Sequence, residues 1–244
     1  MKNIIILSQN EFEKIISKRK AKVLLIILSI IVAGAGILFF YGENMLNLTI
    51  MNGSRFPIWI LGLMMGFILP LFTTMITVDS ISGEYENGTM SNLYALPVSR
   101  QSIYLSKLLG CLYYVVLMLG TTISISLLIA LITGGFGVFA SIGAIILTYI
   151  KAIIAMGLVI AAVSFIGLWF KSSSMTLVIS ILLYIGMNTM SIFLGNIGSL
   201  LPTTIIRLYD KMLLPNYGLL LVYMVSYYVI LTIGGVLKFQ EKEV

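Results

Sequence analysis

The chain has 244 residues, 59% hydrophobic and 10% charged, against about 45–50% apolar and about 25% charged in soluble globular domains, and so reads as an integral membrane protein. It has no His and one Cys, Cys111, which excludes an internal disulfide, His-based metal sites and a His general base. Neither H-E-x-x-H nor G-x-x-x-x-G-K-[ST] occurs, so any ATP chemistry belongs to another polypeptide, and the net charge of +6 informs through where the positive residues fall.

Residues 2 to 20, KNIIILSQNEFEKIISKRK, place Ile5, Phe12, Ile15, Ile16 and either Leu7 or Ser8 on one helical face, with Lys14, Lys18, Arg19 and Lys20 around the rest of the wheel. This predicts an amphipathic helix in the membrane interface. A basic flank that only fixes orientation is the alternative. A cleavable signal peptide, suggested by Ala33-Gly34-Ala35, fits poorly because its n-region would exceed twenty residues and carry two acids.

The first span is expected over about 22–41, ending in aromatic residues, and a polar loop covers 42–56. The second, 57–78, opens on Pro57 and carries Pro70 inside, where a missing amide should kink it and offer a candidate hinge. Its Gly62 and Gly66 form a G-x-x-x-G face that reads as a packing contact rather than a dimer seam. The third span covers about 105–132, closed by Gly134-Gly135-Phe136-Gly137. Residues 140–170 exceed one straight crossing and contain Lys151, which is expensive at mid-membrane. They divide into an outer interfacial stretch, 140–150, and a fourth span, 151–170, with Lys151 snorkelling at its outer end. A short inner turn at Lys171 precedes the fifth span, 175–195; residues 196–216 read as an outer re-entrant or interfacial helix pair, and the sixth span covers about 217–237.

With both termini inside, Lys2, Lys14, Lys18, Arg19, Lys20, Lys22, Arg100, Lys107, Lys171, Lys238 and Lys242 lie on the inner side and only Arg55, Lys151, Arg207 and Lys211 outside, as the positive-inside rule demands of six spans. The fold class is therefore an all-α polytopic membrane protein, a single transmembrane domain over 1–244 in the cell membrane. Segment 79–104 is its largest cytoplasmic loop between spans. Within it Thr89 to Leu96 suits two helical turns, with Asn87 or Gly88 as cap and Pro97 as terminator. That helix would offer Met90, Leu93, Tyr94 and Leu96 as a contact surface, preceded by Glu84 and Glu86.

Glu84-x-Glu86-x-Gly88-Thr89, then Leu96-Pro97-Val98-Ser99-Arg100, then Lys107, resembles the E-x-E-x-G-T … L-x-x-P-x-S-R … K pattern of ABC-2 type permeases, the membrane subunits of a class of ABC exporters. The resemblance extends over nearly the whole chain. It implies a homodimer or heterodimer of permeases joined to two copies of a cytoplasmic ABC ATPase, which carry the ATP and Mg; this chain itself holds no cofactor. It implies that about 84–97 is a coupling helix seated in a groove of the ATPase, which the N-terminal helix also touches. The ATPase-coupling residues are then Glu84, Glu86, Gly88, Thr89, Leu93, Pro97 and Arg100, with Glu84 and Glu86 meeting basic groups of the ATPase. As a reading without the resemblance, the same two acids are a solvated loop or a first-turn bias toward a helix N-terminus.

No catalytic residue, no metal site and no nucleic-acid partner is expected. The spans carry no acid at depth, which weighs against a proton- or ion-coupled carrier, and no intramembrane cluster of Asp, Ser or His supports an enzyme. Fourteen Met and many aromatics suit apolar cargo. Small permeases of this kind resemble those of peptide-toxin export and antibiotic or lantibiotic resistance, including exporters of phenol-soluble-modulin-like peptides. An amphipathic peptide or a hydrophobic antibiotic is the expected substrate; a lipid or other hydrophobic compound, and an ATPase-independent channel or secondary carrier, are the alternatives.

Overall fold

Hydrocarbon offers no partner to a backbone amide, so apolar runs of this length must pair their amides internally as helices. A computed structural model describes residues 2–45, 53–90, 98–194, 198, 200–214 and 217–241. Among them every regular element is helical: α1 (Lys2–Ser17), α2 (Arg19–Met45), α3 (Phe56–Gly66), α4 (Ile68–Glu86), α5 (Arg100–Gly134), α6 (Val138–Gly167), α7 (Ser173–Phe193), α8 (Pro202–Arg207) and α9 (Gly218–Glu241). Four stretches are long and apolar enough to cross a membrane, Arg19–Gly42, Arg100–Gly167, Ser173–Phe193 and Gly218–Glu241, and the bent pair α3 and α4 makes a fifth. The Arg100–Gly167 stretch reverses at Gly135–Gly137, so that α5 and α6 pack side by side.

The long helix α5 is the hub, in contact with α1, α2, α3, α4, α6 and α9. Its buried face includes Tyr104, Cys111, Tyr114 and Met118, and the Tyr114 hydroxyl donates to the carbonyl of Ala21 at the start of α2 (2.8 Å). The outer surface is apolar as well: Leu38 of α2 is 75% exposed, and Ile30, Ile132 and Ile192 also project outward. Apolar surface on this scale is what lipid, rather than water, covers.

Three expectations about local structure are corrected. The second span bends by 54° between α3 and α4, but at Gly66–Phe67 rather than at Pro70. Proline has no N–H for the carbonyl four residues back and its ring crowds that carbonyl, so the break falls on its N-terminal side and Pro70 ends up in the first turn of α4. The freed carbonyl of Gly66 accepts from the Tyr184 hydroxyl of α7 (2.9 Å). Tyr184→Phe leaves it without that donor and is expected to destabilise the chain by roughly 0.6–1.7 kcal/mol, read as a lower melting temperature in detergent.

Second, no helix of the described chain packs closely on Gly62 and Gly66; a Cβ at either would meet nothing within 4 Å. Third, residues 140–170 do not divide at Lys151. The helix α6 is continuous from Val138 to Gly167, and Lys151, 9% exposed, donates from Nζ to the carbonyl of Asp210 (2.8 Å). That carbonyl belongs to the Tyr209–Lys211 turn following the short α8.

Candidate functional site

The site begins with how α4 ends. Gly88 has φ +67°, its N–H donates to the carbonyl of Tyr85 (3.2 Å), and the N–H of Thr89 donates to the carbonyl of Glu84 (3.0 Å). These two bonds are a Schellman closure, with Gly88 at the one position where the left-handed conformation is required. Asn87 and Gly88 therefore terminate α4, and the chain is helical again at Met90, one residue after the expected start of the coupling helix at Thr89. Met90, the next residue, is buried. The rest of the expected helix, with Leu93 and Pro97, lies outside the described residues.

The closure fixes Glu84 and Glu86 on the last turn of α4, where they part company. Glu84 is 4% exposed and is met by two ammonium groups. Lys107 of α5, fully buried, donates to Glu84 Oε2 (2.6 Å) and to Glu11 Oε2 of α1 (2.9 Å). Lys14, one turn after Glu11, bonds Glu84 Oε1 and stands 3.7 Å from Glu11 Oε1. Two carboxylates and two ammoniums thus alternate in a neutral cluster joining α1, α4 and α5. Burial pulls the Lys14 pKa down, but Glu84 and Glu11 outweigh it and hold the ammonium above its usual 10.5. A raised lysine contributes fully below its unfolded value and loses that contribution only as the pH rises through the raised one, so Lys14 stays charged throughout the physiological range.

Glu86 is exposed and points elsewhere: its Oε2 accepts from the backbone N–H of Ser173 (2.8 Å), at the start of α7. There it satisfies one of the free amides of a helix N-terminus, in the role of a borrowed cap. Ser82, one turn earlier on α4, donates to the Gly167 carbonyl (3.2 Å) and lies 2.9 Å from the Thr176 hydroxyl. Glu86→Ala is expected to leave the melting temperature close to that of the parent, because a solvent-exposed acceptor is readily replaced by water. A loss as large as that of a Glu84 variant would contradict this division of roles.

The neighbouring pattern residues hold the same end of the bundle. Ser99 caps α5, accepting from the N–H of Ser102 (3.3 Å). Arg100 donates to the Gln240 carbonyl in the last turn of α9 (2.9 Å), where a cation suits the helix dipole. Lys20 binds both oxygens of Asp79 (3.0 and 2.9 Å), and Lys18 reaches the Asp79 carbonyl (3.3 Å). The last two turns of α4, from Asp79 to Glu86, are thereby tied to α1, α2, α5 and α7, and the start of α5 to α9. Pro70 lies at the other end of α4 and takes no part.

Sequence reading missed Glu11, Lys14 and Ser173. The apolar face assigned to residues 2 to 20 is also rotated: α1 buries Ser8, Glu11 and Ile15 against α5, while Ile5 is exposed. Positions 8, 11 and 15 do share a helical face. An acid at the centre of that face was the available signal.

The sequence pattern described as ABC-2 family transporter protein matches residues 7–188. The chain belongs to the ABC-2 transporter family. No curated protein matches it. Members of the ABC-2 family are membrane subunits without an ATPase domain of their own; the chain is accordingly a permease subunit of an ABC transporter, a multi-pass protein of the cell membrane, and the family implies association with an ABC ATPase in a dimeric arrangement. The matched region contains α4, α5 and the whole charge cluster, while α9, to which Arg100 is tied, lies beyond it.

Proposed function

We propose that this permease has six spans with both termini cytoplasmic, and that it exports amphiphilic substrates, amphipathic peptides or hydrophobic antibiotics, driven by two ATPase subunits bound at the α1 end. The span count is supported by the Arg100–Gly167 stretch of 68 residues. At about 1.5 Å per residue it would measure roughly 100 Å unfolded into one rod, over three times a hydrocarbon core of about 30 Å, and it turns back at Gly135. Counting it as two crossings, and α3 with α4 as one, gives six.

The observation that carries the coupling assignment is the alternating cluster of Glu11, Lys14, Glu84 and Lys107. It joins the end of α4, from which the 91–97 segment departs, to α1 and to the base of α5. A push from an ATPase on that segment then moves three helices together instead of bending a loop. In this reading Glu84 works from inside the permease, Gly88 and Thr89 set where the segment leaves α4, Leu93 and Pro97 belong to the docking surface, and Arg100 passes motion to α9. Glu86 lies at the rim, where a basic group of the ATPase can compete with the Ser173 amide. The bend before Pro70 is the hinge.

The test is co-purification of the chain with a co-expressed ABC ATPase from the same genome, followed by ATP turnover measured against amphipathic peptides, hydrophobic antibiotics and lipids. Turnover raised by the peptides or antibiotics is the expected result; stimulation by lipids alone transfers the assignment to lipid export. Substrate movement by the purified chain in vesicles without any ATPase contradicts the proposal.

A further inference from the structure

The helix α7 packs on α4, α6 and α8 but hardly touches α9. Between α7 and α9 lies a cavity of about 320 Å³, backed by α4 and α6 and bounded by α8. Its wall is apolar, with Leu158, Val163, Leu183, Met187, Ile206 and Leu231 contributing, and no charged side chain lines it among the described residues. Several polar atoms in or beside that wall are spoken for. Thr74 bonds back to the Pro70 carbonyl (2.8 Å), Tyr184 to Gly66 (2.9 Å), Tyr227 to Leu200 (3.1 Å), and Thr176, one turn before Ser180, to Ser172 (2.9 Å).

Four hydroxyls in or beside the wall, those of Ser180, Thr203, Thr204 and Thr232, break this pattern, and the first two line the cavity. Ser180 of α7 and Thr203 of α8 are 5% and 3% exposed and have no hydrogen-bond partner among the described residues. Hydroxyls on membrane helices normally bond back to a carbonyl of their own helix, and a buried hydroxyl left unpaired is unfavourable. Two of them, from different elements and in one apolar cavity, specify a guest that is mostly hydrocarbon with a neutral polar group.

We infer that this cavity binds an uncharged section of an amphiphile: an aliphatic chain bearing an ester, amide or hydroxyl that Ser180 and Thr203 receive. The volume is at the lower end of the roughly 300–1,000 Å³ of small-molecule pockets, which suits one chain rather than a whole two-chain lipid. A bilayer phospholipid and a free single-chain amphiphile share this chemistry. The site lies within one copy of the chain, so it requires neither a second permease nor an ATPase, and it stands or falls separately from the coupling proposal.

The experiment uses the full chain in phospholipid nanodiscs, photolabelled in one arm with phosphatidylglycerol carrying a diazirine in one acyl chain and in the other with a diazirine-bearing hexadecyl amide. Labelled peptides are read by mass spectrometry. Label concentrated on α7 and α8 in either arm supports the site, and the arm that labels identifies the source. Ser180→Ala and Thr203→Val are each expected to reduce that label about 2- to 10-fold, the weight of one hydrogen bond, while label on the outward face of α2 stays constant. Neither variant removes a bond the protein makes, so both should melt no lower than the parent without the probe. Ala162→Phe, which fills the cavity, should abolish the α7 and α8 label; if it fails to fold, the hydroxyl variants decide. Label spread equally over α2 and α7, or unchanged in both hydroxyl variants, overturns the inference.

Discussion

Lys107→Met is expected to destabilise the chain by about 3–5 kcal/mol, the usual result of removing one member of a buried ion pair. Lys107 is the only fully buried charged group of the cluster and touches both carboxylates, at 2.9 Å from Glu11 and 2.6 Å from Glu84. Without it two buried acids converge on Lys14 alone, whose side chain is 42% exposed and half committed to water. The damage should come from the uncompensated charges rather than from lost volume, since Met nearly matches the lysine stem. Lys107→Met combined with Glu84→Met is therefore expected to recover much of the loss, because Glu11 and Lys14 remain as a neutral pair one turn apart. Thermal melting of the four proteins of this cycle in detergent measures the coupling. A melting temperature for Lys107→Met equal to the parent's would falsify the cluster as a structural tie.

The same cycle separates stability from force transmission. A double variant that folds, retains its ATPase and still exports shows that the charges only hold the helices together. One that folds and binds the ATPase but hydrolyses ATP without export shows that the charged link itself transmits motion.

How far these roles were legible in the sequence differs from residue to residue. The long helices were readable because each apolar run exceeds what a membrane needs and is bounded by Gly, Pro or charge. Gly88 and Ser99 were readable as local signals whose partners lie within a few residues, Gly88 closing α4 just before the chain becomes helical again at Met90. Glu84 and Glu86 look like twins in sequence, two positions apart. On a helix two positions are about 200° apart, so one faces the core and the other the start of α7. Their partners, Lys107 and Ser173, lie 23 and 87 residues further on. Glu11 was given no role by the helical wheel because its cation is 96 residues away. The break before Pro70 was foreseen in kind and misplaced by one turn, a shift that follows from the ring's clash with the carbonyl four residues back. The acceptor of Lys151, the carbonyl of Asp210, is likewise remote in sequence, 59 residues away.

Gly110→Val should release α1 from the bundle. A Cβ at Gly110 would lie 2.8 Å from Glu11 Cβ and 3.3 Å from the backbone nitrogen of Phe12, so α1 rests on α5 where α5 has no side chain. The obstacle is the main chain and Cβ of a helix, which has no rotamer to yield, and valine adds two methyl groups beyond that Cβ. Overpacking of this kind is unfavourable by about 1–3 kcal/mol, and here it also lengthens the bond from Glu11 to Lys107, one turn away on α5. Ser8, buried in the same contact, provides the readout. Ser8→Cys is expected to resist a maleimide in the parent, where the native Cys111 is also buried, and to react readily once Gly110→Val is added. Gly110→Ala should give an intermediate rate, because α1 needs to move less to admit one methyl group. Equal labelling in all three would mean that α1 floats in the interface as an independent amphipathic helix. Protection graded from glycine to alanine to valine would mean that α1 is a docked element, held by a side-chain-free contact and by the buried charges beside it, and able to carry a load to α5.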